Sequence, residues 1–98
     1  MPGTFVLNRI DLKKMLTRLK VSEKGIDQLE ANLNRMHRHV NAVAFAGMLE
    51  KLGLKQEDIT NIFRRMGIGD VSITEVFNAL DEERISETFG KIVVLKIE

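Results

Sequence analysis

Residues 15–29, MLTRLKVSEKGIDQL, and residues 48–62, MLEKLGLKQEDITNI, are two copies of one pattern set 33 positions apart. Met15/Met48, Leu16/Leu49, Leu19/Leu52 and Ile26/Ile59 are identical pairs, and Val21/Leu54, Leu29/Ile62, Arg18/Lys51 and Gln28/Asn61 are chemically alike. The ends of the units match as well: VNAVAFAGML (40–49) aligns with VSITEVFNAL (71–80), and LNRIDLKKML (7–16) fits the same pattern. The chain therefore reads as a single domain made of a half unit (7–20), unit one (23–53), unit two (56–84) and a terminal strand (91–97). A helical hairpin of this size cannot bury its apolar stripe alone, so each copy must supply a wall for the other. Val40 and Val71, the extended residues of the two units, are expected to pair as a short antiparallel bridge.

Periodicity fills in the elements. Ile10, Leu12, Met15, Leu16 and Leu19 recur at spacings of three and four, which predicts a helix over 8–20. Ser22 is a suitable N-cap for a helix over 23–36, and Gly53 a suitable stop for one over 42–53. Acids at Glu57 and Asp58 suit the first turn of a helix over 56–66, and a fifth helix is expected over 74–84 after an extended segment 71–73. The β-branched segment 91–97 predicts a strand, with 4–7 as its partner.

Composition narrows the function classes. Fifteen Lys and Arg against fourteen Asp and Glu leave a net charge of +1, too little for an overall electrostatic hold on nucleic acid or anionic membrane. The chain has no Cys, which removes disulfides, thiolate metal sites and thiol nucleophiles and favours an intracellular, cytoplasmic setting. No apolar run reaches the roughly 20 residues of a membrane span, and Met1-Pro2-Gly3-Thr4 does not read as a leader. No nucleophile motif, Gly-rich phosphate loop or metal-ligand cluster is present, so the expectation is a protein that is not an enzyme, with no catalytic residue, metal or cofactor.

The arrangement of units resembles the EF-hand pair. The resemblance is carried by Ile59, Phe63 and Met66 on an entering helix, Gly69 in the turn, Val71-Ser72-Ile73 as the bridge, and Glu75-Val76-Phe77 opening the exit helix. It implies a mainly α fold: a pair of helix-loop-helix units with an extra N-terminal helix and a C-terminal β-strand. The calcium ligands depart from the family. With Glu75 as the last ligand, the positions that should carry oxygen donors hold Arg64, Met66 and Ile68, and unit one has Ala44 in place of that Glu. The resemblance therefore implies a calcium-independent member.

Two sets of candidate binding residues follow. Met36, Phe45, Met48, Leu49, Phe63, Met66 and Phe77 form a Met- and Phe-rich stripe, which in such lobes can open as a groove for an amphipathic helix. Arg35, His37, Arg38, His39, Arg64 and Arg65 lie in or beside the two loops and would form a basic face for an acidic peptide. The leading expectation is an adaptor or light-chain-like subunit binding an amphipathic helix of a larger protein. Residues 52–73 also resemble a helix-turn-helix, making a nucleic-acid-binding protein the alternative, although the near-neutral charge disfavours it. A third alternative is a structural subunit that forms homo-oligomers through strand 91–97.

Overall fold

The computed structural model describes residues 3–81 and 93–98. They form β1 (Gly3–Leu7), α1 (Arg9–Arg18), α2 (Glu23–Arg35), β2 (His39–Asn41), α3 (Ala42–Lys51), α4 (Gln56–Arg65), α5 (Asp70–Asp81) and β3 (Val93–Ile97). The fold is mainly helical with a small sheet that includes the C-terminal strand. The expected extensions of the fifth helix through 82–84 and of the terminal strand through 91–92 lie outside the described residues. Among the described residues no helix is long and apolar enough to cross a membrane.

The sequence repeat becomes a structural one, residue by residue. Asn8 and Asn41 are N-caps: the Asn8 side chain accepts from the N–H groups of Ile10 (2.8 Å) and Asp11 (3.2 Å), and that of Asn41 from Ala44 (2.8 Å). Each satisfies donors that the first turn of a helix leaves free. Helices α1 to α4 all stop in the same way, with a left-handed residue followed by a backbone bond reaching five residues back. Val21 N–H donates to the Leu16 carbonyl (3.0 Å), Arg38 to Leu33 (2.8 Å), Leu54 to Leu49 (3.4 Å) and Ile68 to Phe63 (3.1 Å). The left-handed positions before these bonds are Lys20, His37, Gly53 and Gly67, and after α2 Arg38 is left-handed as well. Glycine takes this conformation without a Cβ clash, whereas Lys20 and His37 carry the penalty.

Unit two departs from the expected pattern in one respect. After His37, four residues precede α3, enough for β2; after Gly67 only Ile68 and Gly69 precede α5. Val71 and Ser72 therefore extend α5 by a helical turn instead of forming a strand, and Val71 is 76% exposed. The expected Val40–Val71 bridge does not form. Val40 pairs with Leu95 of β3.

β3 is the central strand in the order β1-β3-β2. It runs parallel to β1, from Gly3↔Val93 to Leu7↔Ile97, and antiparallel to β2. Segment 4–7 is thus the partner of the terminal strand, as its pattern predicts. With a neighbour on each side, β3 has no free edge. This corrects the expectation of homo-oligomers through 91–97, because strand addition needs unpaired backbone groups. Leu7, Val40, Val93, Leu95 and Ile97 point into the core, where they meet Leu12, Leu16, Ile26, Leu29 and Leu33 from the first copy and Phe45, Leu49, Ile59 and Ile62 from the second. Phe45 and Phe63 lock α3 to α4 with ring centroids 6.2 Å apart at a 44° tilt. Among the described residues no polar or charged side chain is buried.

Two stability measurements follow from this design. Replacing Lys20 with Gly should raise stability by about 1 kcal/mol in urea denaturation, and Gly53→Lys should lower it by about the same amount, because the two sites share one left-handed cap. Leu95→Ala, in the fully buried middle of the central strand, should cost about 2–5 kcal/mol.

Candidate functional site

The Met- and Phe-rich stripe is closed. Phe45, Leu49 and Phe63 are completely inaccessible, Met66 and Phe77 are buried, and Met48 is half-buried against the core. Met36 alone stands out, 40% exposed at the C-cap of α2. Among the described residues the expected groove is therefore core: apart from Met36, these side chains belong to the buried cluster or pack against it. The periodic pattern marked these residues as apolar contacts, and their partner is the chain itself.

The loop cations have separate local surroundings. Arg35 turns back to the Asn32 side chain on its own helix. Arg38 Nη2 lies 3.5 Å from Glu30 Oε2, while its Nη1 is buried with no hydrogen-bond partner. His39 Nδ1 lies 3.0 Å from the His37 carbonyl oxygen. Arg64 Nε donates to Asp70 Oδ1 at 3.0 Å. Arg65 lines a recess between α1 and α4 together with Arg18, Met15, Leu19 and Ile62. Two of the six basic residues are thus neutralised locally by acids that sequence position alone does not pair with them.

Several recesses open on the surface, one of them between α4 and α5 and the others bordering α1. A cleft of about 570 Å³ runs between α1 and α2. Its centre is aliphatic, from Ile10, Ile26 and Ala31; Arg9 and Lys13 form the α1 wall, and Asp27, Glu30 and Asn34 the α2 wall. Of the two isoleucines, Ile26 is buried and Ile10 is 59% exposed. The walls follow from helical spacing. Residues 9 and 13 are one turn apart on α1, as are 27, 30, 31 and 34 along α2, so each set lies on one face. The α1 cations are visible in the sequence as Arg9, Lys13, Lys14 and Arg18 against Asp11, a cluster separate from the loop charges.

The helix-turn-helix alternative meets its own charge problem. α5, which would read bases, has the sequence DVSITEVFNALD, with three acids and no cation, and buries Ile73, Val76 and Phe77. Such a helix repels a phosphate backbone. Among the described residues no three His, Cys, Asp or Glu side chains come together as a metal-binding group.

The ion pairs of Arg38 and Arg64 differ in setting, and double-mutant cycles should separate them. Arg64–Asp70 has side chains 55% and 74% exposed, and its coupling should be about 0.2–0.5 kcal/mol. Arg38–Glu30, at 21% and 28% exposed, should couple by about 1 kcal/mol or more, since removing Glu30 leaves the half-buried guanidinium without its counter-charge.

Compared with protein-family models, with curated proteins and with solved structures, the chain finds no match in any of the three.

Proposed function

We propose that this chain is a calcium-independent helical protein-interaction module, an adaptor or light-chain-like subunit that seats an amphipathic helix of a larger protein. The seat is the cleft between α1 and α2, in place of the interior stripe. The observation that carries this proposal is the cross-section of the cleft: an aliphatic centre at Ile10, Ile26 and Ala31 between a basic and an acidic wall. An amphipathic helix offers the complementary section, one apolar stripe with polar residues on either side. Burial at the centre supplies affinity, and the charged walls fix direction and roll. No catalytic residue or cofactor is assigned, and a cytoplasmic setting, consistent with the absence of Cys, belongs to the same proposal.

An EF-hand relationship is part of the proposal in reduced form. The duplicated hairpins and the shared Asn caps support it. The helical start of α5, which replaces the bridge, counts against it.

NMR titration of the full chain with a synthetic amphipathic helical peptide tests the seat. Amide shifts should concentrate at residues 9–13 and 26–34. Ala31→Arg, at an exposed position, should weaken binding at least about tenfold without lowering thermal stability. Calcium at millimolar concentration should move no amide in 36–39 or 66–69. Shifts centred on Met48, Met66 and Phe77 would put the partner in the stripe and refute the cleft.

A further inference from the structure

We infer that the partner helix is acidic, and that it docks with its Asp and Glu residues on the outer ridge of α1 and its apolar anchor against Ile10. This rests on the interaction reading above and adds to it the partner's charge and orientation.

Charge is segregated on this helix. α1 carries Arg9, Lys13, Lys14 and Arg18 against the single acid Asp11, in a chain whose total is only +1. All four cations are exposed, and among the described residues none is in an ion pair; Arg38 and Arg64 elsewhere each have a carboxylate. The ridge is thus a net positive surface, without an ion pair among the described residues, on a protein that is otherwise slightly acidic.

An apolar anchor stands in the middle of it. Ile10 lines both the α1–α2 cleft and a second recess, formed with Lys13, Lys14, Thr17 and Arg18. Residues 10, 13, 14 and 17 share one helical face. The Thr17 hydroxyl donates to the Lys13 carbonyl at 2.8 Å, so its methyl group is what it offers a partner. The Lys and Arg stems add further hydrocarbon beneath their charges. An aliphatic centre with a cationic rim is the layout of an interface hot spot, in which the rim excludes water from the anchor.

These features select among anionic partners. A phosphate backbone would satisfy the cations but present little apolar surface to Ile10. An anionic bilayer is bound by helices that lay an apolar stripe into it, whereas the α1 stripe, Leu12 and Leu16, is buried in the core. An acidic amphipathic helix satisfies the anchor and the rim together. Asp27 and Glu30 on the opposite wall then set the roll, repelling the partner's acids towards α1.

Three peptides sharing one Leu stripe, with polar faces built from Glu, Gln or Lys, test this against the intact chain by fluorescence anisotropy. The Glu peptide should bind about tenfold tighter than the Gln peptide, the Lys peptide should bind most weakly, and the gap should narrow with salt. Ile10→Ser should weaken the Glu peptide about tenfold, and Lys14→Glu with Arg18→Glu should erase its advantage over Gln; circular dichroism should show the fold intact, since these side chains are exposed. Equal binding of the Glu and Gln peptides overturns the inference while leaving the cleft as a helix seat. If none of the three binds, the interaction proposal falls and takes the inference with it. A DNA duplex or an anionic vesicle that binds more tightly than the Glu peptide, and is indifferent to Ile10→Ser, also overturns it.

Discussion

The fold depends on one strand entering between two others. β1 and β2 are the equivalent strands of the half unit and unit one, each leading through an Asn cap into a helix. Because β3 is parallel to β1 and antiparallel to β2, those two strands oppose each other across it. β3 thus joins two copies of a strand-cap-helix motif that make no direct strand pair. Its inward residues Val93, Leu95 and Ile97 fill the space beneath both. Without it, two short strands and five helices would lack a common floor, since a lone strand edge has too few contacts to order itself.

Much of this was legible in the chain. The four helices α1 to α4 fall where the three- and four-residue spacings put them, ending one or two residues early, as expected when the last residues enter a cap. The repeat predicted which residues share a role: Leu16 and Leu49, Ile26 and Ile59, and Leu29 and Ile62 are all buried. It failed at Val71. There, alignment of residue types suggested a strand, but the spacing between Gly67 and Asp70 leaves no room for one, and the acid at Asp70 suits a helix start. Chain length between caps outweighed β-branching at a single position.

The candidate site was less legible, for a reason that concerns pairs more than residues. Sequence counts cations without showing which acids they meet. Arg64 reaches across a turn to Asp70, and Arg38 back along α2 to Glu30, so two of the loop charges are compensated. Likewise, a Met- and Phe-rich stripe has the same spacing whether its partner is a foreign helix or the other half of the same molecule. Only burial distinguishes the two, and Phe45 and Phe63 pack against each other with tilted rings. The proposed partner seat therefore lies on surface that the core does not use, the outside of α1 and its border with α2.

The central place of β3 also has a bearing on how the protein is made. Of the described elements it is the last in chain order, yet it pairs with the first: Gly3 with Val93. The helical hairpins depend on near neighbours and can collapse during synthesis, whereas the sheet must wait for nearly the whole chain. Until then β1 and β2 have open edges and the inner faces of Leu7 and Val40 are uncovered. Insertion of β3 pairs one edge of each strand and covers those faces, while their outer edges stay at the margins of the sheet.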